Sequence, residues 1–366
     1  MFLYFIDQKD IRIYSTKIML LKEKDMNKIL SISIAAYNAE KFLDKCLTSL
    51  TNSKRINDIE LIIVNDGSND KTIEIAREYE KKYPDSVRVV DKENGGHGST
   101  INASIRIATG KYFKIVDSDD WVETENLDRL IEFLRESNSD LVLNPYYEVN
   151  ALDERKKLVY AYELIDNENI LNAKFEKYAT NIKLAMHAMT FRNDIIKKVG
   201  PVIDENCFYV DLEYTLFPIK YLKTISILNY PIYDYLLGTA TQSMNLHNLI
   251  ERRAQHLKVV QRVVEKYEED FQMENRSRKS RLARNRIVAA IYLQYVLILK
   301  ARGKKTKEEF YYFDKWLKHK STFLYRSIAR RKLIKSKPYI LFIVILRKAP
   351  IMYKFIDGII SLRNKV

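Results

Sequence analysis

Apolar positions along the first 145 residues follow two alternating rhythms. Ile29–Ala35, Ile59–Val64, Val87–Val90, Tyr112–Val116 and the run 140–144 are short, rich in β-branched and aromatic residues, and bounded by polar turns, which predicts buried strands. Between them Phe42, Leu43, Cys46, Leu47 and Leu50 fall at helical spacing, as do Ile73, Ala76 and Tyr79. Further helices are predicted from Gly98 to about Thr109 and over 125–136. Asn69 or Asp70 is placed to cap the second helix and Gly110 to close the third. Strand, helix and strand at short intervals predict an α/β fold with a mainly parallel sheet, whose ligands bind where strands end. From Leu249 to about Lys300, and again over 308–320, the rhythm is wholly helical.

Three of the predicted strands run into distinctive polar turns: Ala36-Tyr37-Asn38, Asp66-Gly67-Ser68, and Asp117-Ser118-Asp119-Asp120. Carboxylates as close as Asp117, Asp119 and Asp120 repel one another. A divalent cation offsets that repulsion, and hard oxygen ligands suit Mg²⁺ or Mn²⁺. Asp66 is an acceptor for a base imide N–H or a ribose hydroxyl, although Asp-Gly-Ser is also a common plain turn. Gly95-Gly96-His97-Gly98 opens a helix and can present N–H groups to an anion. It is not a Walker loop, since no Gly-Lys-Ser/Thr follows, and it comes after the third strand rather than the first, unlike the dinucleotide fingerprint.

Four blocks in this order and spacing resemble family 2 glycosyltransferases of the GT-A fold: Ser31 to Leu43, Ile62 to Thr72, Asn94-Gly95-Gly96 with Asn102, and Gly110 to Asp120. The resemblance covers about residues 28–145. It implies a Rossmann-like, mixed, mainly parallel sheet flanked by helices, a nucleotide-sugar donor that is most often a UDP-sugar, and inversion at the anomeric carbon. By position it implies donor contacts from Ala36, Tyr37, Asn38, Glu40, Asp66, Gly95, Gly96, Ser99, Asn102, Asp117 and Ser118, and a Mn²⁺ or Mg²⁺ ion held among Asp117, Asp119 and Asp120. Relatives place the proton-accepting carboxylate in an aromatic-x-Glu-Asp segment, which points to Phe208–Leu216 and to Asp211 before Glu213. Many carry arginine before the asparagine matching Asn102. This chain has Ile101, so Lys111 or Arg106 is expected to compensate. Relatives also often have arginine where this chain has Leu237 or Thr239, and Gln242 and Ser243 are expected near the diphosphate. His187 is open to two readings, a core histidine or a member of the acceptor pocket.

The net charge of +14 resides in residues 301–366, which hold 18 Lys/Arg against 4 Asp/Glu. Aromatic and apolar residues interleave with these cations, and 276–286 already hold six basic residues in eleven. No uninterrupted apolar run reaches the roughly 18 to 20 residues of a bilayer span. The region is therefore expected to lie on an anionic membrane surface, serving a glycan or lipid-linked acceptor; a basic helical appendage packed on the catalytic domain or on a partner subunit is the alternative. The predicted organisation is an N-terminal extension over 1–26, a catalytic domain over 27–245, and a helical basic region over 246–366. Cys46 and Cys207 match no metal spacing and read as reduced thiols of a cytoplasmic protein. Two other classes fit less well. A nucleotidyltransferase would carry a glycine-rich loop with a basic residue after the first strand, which Ala35-Ala36-Tyr37-Asn38 is not. A nucleic-acid-binding protein leaves the acidic rim unexplained, because carboxylates repel phosphates.

Overall fold

A computed structural model describes residues 28–162, 168–238, 245–271, 276–301, 305–330, 339–353, 355–356 and 359–360. The predicted extension over 1–26, and Thr239, Gln242 and Ser243, lie outside the described residues.

The predicted α/β architecture is what the chain adopts. An eight-stranded sheet has the order β3-β2-β1-β4-β10-β6-β11-β9, formed by β1 (Leu30–Ala36), β2 (Ile59–Asp66), β3 (Val87–Lys92), β4 (Tyr112–Asp117), β6 (Leu141–Leu143), β9 (Ile170–Lys174), β10 (Met189–Arg192) and β11 (Thr224–Ile227). Its first four strands are parallel. Antiparallel β10 then separates β4 from β6, and β9 closes the far edge antiparallel to β11. Leu30, Ile32 and Ile34 are fully buried on one face of β1, and Ser31 and Ser33 on the other are buried with hydrogen-bond partners. Each apolar side chain so buried contributes about 1.5–3 kcal/mol.

A second sheet went unforeseen: β5 (Trp121–Val122), β12 (Tyr233–Leu237), β7 (Tyr146–Asn150) and β8 (Lys156–Val159), in the order β5-β12-β7-β8. β5 is two residues long and β8 is mostly exposed, so neither offers a periodic signal.

Helices Leu43–Thr51 and Thr124–Glu136 bury Leu43, Leu47, Leu50, Leu127, Leu130 and Leu134 against one face of the main sheet. The other face continues without a break into the C-terminal helices, where Phe113, Phe191 and Tyr214 share a core with Val260, Ile291, Tyr295, Phe310 and Phe313. Helix Arg278–Lys300 is long and apolar enough to cross a bilayer by length and composition, which the run-by-run reading of the sequence did not register. Two thirds of its most apolar window (67%) is nevertheless buried inside the protein. Its Tyr295 donates to Asp314 (2.6 Å), whose carboxylate also accepts from Arg347 (2.7 Å). The described part of the C-terminal region is thus packed on the sheet. Leu341, Ile351 and Phe355 remain exposed, and the basic run 331–338 lies outside the described residues.

Candidate active site

Parallel register places the predicted polar turns on one rim. Ala35 is opposite both Val64 and Asp117, and Asp66 is opposite Lys92. Asn38, in the left-handed region (φ 48°), ties the first two turns together. Its N–H donates to Ser68 Oγ (3.0 Å) and its Oδ1 accepts from Asn69 N–H (2.9 Å). Glu40 accepts from Lys71 N–H (3.2 Å), while its own N–H donates to Asp70. Tyr37 stands half exposed over this turn (52%), and Ala36 is buried.

Asp66 is directed inward. It is 2% exposed, and its Oδ1 accepts from Lys92 Nζ (2.7 Å), Gly95 N–H (2.9 Å) and Ser99 Oγ (3.2 Å), while Oδ2 accepts from Gly96 N–H (2.7 Å). Its carboxylate thereby shapes the glycine loop. Gly98 fits only as glycine, since a Cβ there would lie 1.9 Å from Asp204 O. Asn102 is likewise filled: it donates to Ile203 O (2.8 Å) and Glu205 Oε1 (2.9 Å) and accepts from Ile203 N–H (3.0 Å). Glu213 is fully buried, with Oε2 accepting from Asp204 N–H (2.8 Å) and Oε1 unpartnered, and burial pushes its carboxyl up to about 7. Together Asn102 and Glu213 lock the 203–205 segment onto the glycine loop, so Glu213 supports the wall of the crevice.

The acidic turn is of the opposite kind. The Asp117 carboxylate receives no hydrogen bond among the described residues, and His97 Nε2 lies 3.5 Å from its Oδ1. Burial, with Asp211 second, pushes Asp117 up to about 7; burial, with Asp117 second, pushes Asp119 up to about 6. Asp120 is 1% exposed and holds Tyr233 O–H (2.5 Å) and Leu236 N–H (2.8 Å), which binds β12 of the second sheet to the turn. Its carboxyl is also pushed up, by burial first and then by Asp117 and Asp119.

His187 sits beside this cluster, just before β10, stacked on Tyr235 (4.1 Å between centroids) and near Tyr233 (4.9 Å). Its backbone carbonyl accepts from Lys114 Nζ (2.7 Å), a fully buried amine that burial pushes down to about 7. One ring nitrogen lies within 4.8 Å of oxygens of Asp117 and Asp120, and the buried Nδ1 has no partner. Burial, followed by the Lys114 charge, holds the ring neutral, with its pKa pushed down to about 3. Neutral imidazole and crowded carboxylates with spare lone pairs are a donor set that fits a divalent cation.

Asp211 begins the helix Asp211–Leu216, and its side chain is 44% exposed. The protein packed around it pushes its carboxyl up, opposed by Arg286 and then His97. Ser118 is nearly buried within the acidic turn.

Of the predicted compensators for Ile101, neither is at the crevice. Lys111 Nζ donates to Arg135 O (2.9 Å) at the opposite end of β4, and Arg106 lies in the last turn of the helix that the glycine loop opens. Ile101 itself is fully buried in core. Sequence reasoning missed Lys92, Lys114, Tyr233 and Arg286, and of these only Lys92 had a readable signal, a cation one strand over from Asp66.

An α/β sheet with an acidic turn at the end of its fourth strand is the arrangement of a GT-A domain. Residues 31–200 match the model of glycosyl transferase family 2, and that stretch of the chain belongs to the family. The chain is similar to the uncharacterized glycosyltransferase EpsJ of Bacillus subtilis (strain 168), 28% identical over 214 residues that cover 57% of this chain and 61% of that protein. It is also similar to the poly(ribitol-phosphate) beta-glucosyltransferase of Bacillus spizizenii (strain ATCC 23059 / NRRL B-14472 / W23), 29% identical over 237 residues, or 63% of this chain and 33% of that protein. The alignments thus span less than two thirds of either relative. Among solved structures, S. aureus TarS 1–349 in complex with UDP superposes with a TM-score of 0.62 over 92% of each chain at 17% identity, a likeness of fold alone.

Proposed function

We propose that this protein is an inverting glycosyltransferase that moves one sugar from a UDP-sugar to a hydroxyl of a cell-envelope glycan or polyol-phosphate chain. The observation that carries the reading is the acidic turn: Asp117 and Asp120 each offer an oxygen within 4.8 Å of a ring nitrogen of His187, whose buried Nδ1 has no partner, and Asp119 lies in the same turn, at the strand ends of a family 2 domain. The polyol-phosphate acceptor class is supported by the name of the Bacillus spizizenii relative, and the UDP donor by the ligand of TarS.

In this mechanism the base and ribose lie over Tyr37 and Asn38 at the end of β1, against the turn that Asp66 and Lys92 stiffen from below. Asp117, Asp119 and His187 would hold Mn²⁺ or Mg²⁺, with Asp120 fixing the turn through Tyr233. When bound, the cation supplies positive charge that neutralises the diphosphate and favours its departure. Asp211 accepts the proton of the acceptor hydroxyl as its oxygen bonds to the anomeric carbon and the carbon–oxygen bond to the diphosphate breaks. The exposed apolar residues Leu341, Ile351 and Phe355, in a region rich in Lys and Arg, support contact of the C-terminal region with an anionic membrane surface at the cytoplasmic face.

The test is UDP release from UDP-glucose and UDP-N-acetylglucosamine, with and without poly(ribitol phosphate), in Mn²⁺ or EDTA. Acceptor-stimulated release that EDTA abolishes is expected, and it should be lost in Asp211→Asn. Release from neither donor under any condition contradicts the reading.

A further inference from the structure

We propose that Arg286, carried by the helix Arg278–Lys300, is a positioning residue for Asp211 in the transfer reaction. The C-terminal helical region would then complete the active site. This inference rests on the reading of Asp211 as the proton acceptor.

Arg286 Nη2 lies 3.9 Å from Asp211 Oδ2, and no other lysine or arginine among the described residues comes within 4.0 Å of that carboxylate. The guanidinium straddles two environments. Its Nε is buried and has no hydrogen-bond partner, whereas the side chain as a whole is 41% exposed beside Asp211, itself 44% exposed. A buried, unpaired N–H is expensive to leave in a core. Its persistence is explained if the planar fork is held in place to face an anion.

The surroundings make the pair rigid. Tyr209, two residues before Asp211, has φ 70°, an uncommon conformation for a bulky side chain, and Asn206 in the same loop has φ 54°. Tyr209 packs edge-on against His256 (5.4 Å), whose Nδ1 bonds Gln294 Oε1 (2.7 Å) on the same helix as Arg286. The loop presenting Asp211 and the helix presenting Arg286 are therefore clamped together by side chains buried between them. Strained backbone held by such over-determination is common where a reacting group must be aimed.

The charge balance gives the pair a purpose. Asp211 stands in the negative field of Asp117, and the side chains that oppose that field at Asp211 are Arg286 first and then His97. Arg286 supplies a permanent positive charge 3.9 Å from the Asp211 carboxylate. During transfer the acceptor hydroxyl gives its proton to Asp211, the new bond forms to the anomeric carbon, and the diphosphate leaves. A guanidinium beside Asp211 favours the anion that starts this step and fixes which oxygen faces the acceptor. The crevice thus holds an arginine despite Ile101, but it arrives on a different element.

The experiment compares wild type with Arg286→Lys, Arg286→Gln and Arg286→Ala in the full chain, by steady-state UDP release from the better donor in Mn²⁺ with poly(ribitol phosphate). The expected result for Arg286→Gln is a kcat lower by about 10- to 100-fold, with KM for the donor within about twofold and unfolding temperature unchanged. Arg286→Lys should retain more activity than Arg286→Gln, and guanidinium chloride well below denaturing concentration should restore part of the rate of Arg286→Ala. Full kcat in Arg286→Gln while Asp211→Asn is inactive overturns the inference and leaves the proposed function standing. So does a fall in kcat, KM and unfolding temperature together, with no rescue and no advantage of lysine, because that marks a structural arginine. Absence of transfer by the wild type removes the proposed function and this inference with it.

Discussion

Asp66 and Asp117 both terminate strands of the parallel half-sheet, yet Asp66 is filled by Lys92, Ser99 and two backbone N–H groups, while the Asp117 carboxylate receives no hydrogen bond among the described residues. Sequence position made them look alike, as acids in polar turns at the same rim. A carboxylate that accepts four hydrogen bonds from its own chain, as Asp66 does, holds the scaffold. One left wanting donors is available to a cation or ligand, and in its absence shifts toward the protonated form. The rim therefore divides into a structural half around the glycine loop and a chemical half around the acidic turn.

The sharpest way to break that division is to neutralise each acid in turn. Asp66→Asn should cost about 1–3 kcal/mol in urea unfolding, because it removes the charge that Lys92 and two backbone N–H groups hold and leaves a buried acceptor set incomplete. Asp117→Asn should leave metal-free stability equal or higher while lowering transfer by at least about 10²-fold. Equal destabilisation by both substitutions would erase the distinction.

A smaller effect is expected where the two sheets meet. Tyr233→Phe removes the hydroxyl that Asp120 holds at 2.5 Å and that accepts from Asp117 N–H at 3.0 Å. A loss of about 1–2 kcal/mol is expected, with weakened Mn²⁺ binding by calorimetry because the turn is no longer fixed. Unchanged Mn²⁺ affinity would place Asp120 on the structural side.

The pH dependence of stability should be smaller still, and it has a defined sign. Asp117 and Asp119 are raised from an ordinary value of 3.8 to about 7 and about 6, so the folded protein binds protons that the unfolded chain has released. Their contribution is full below the unfolded value and is lost as pH rises through 6 to 7. His187, lowered to about 3, contributes in the opposite direction over the acid side of that range. Unfolding free energy measured from pH 4 to 8 in EDTA should therefore fall more steeply with pH in wild type than in the Asp117→Asn, Asp119→Asn double variant, which keeps His187. Parallel curves would contradict the assigned burial, and saturating Mn²⁺ should flatten the wild-type curve.

Much of this arrangement was legible in the amino-acid order because the parallel strands are buried on both faces and end abruptly in polar turns. The alternating helices, the strand-end rim and the acidic cluster all follow from that local pattern. What the sequence concealed depends on register and distance. Lys92 meets Asp66 only because β2 and β3 pair in that register. His187 reads as an apolar-segment histidine until Lys114, from the middle of β4, fixes its carbonyl beside the acids. The second sheet is built of strands too short to show a period. Helix Arg278–Lys300 looked like part of a basic surface region, but its apolar side chains complete the core and its Arg286 reaches Asp211.

The most direct measurement is isothermal titration of UDP into wild type and Asp117→Ala, each in Mn²⁺ and in EDTA. The account predicts that Mn²⁺ tightens UDP binding to wild type by roughly tenfold or more and leaves the variant at its EDTA value. Equal UDP affinity in all four titrations, or an undiminished Mn²⁺ effect in Asp117→Ala, would contradict it.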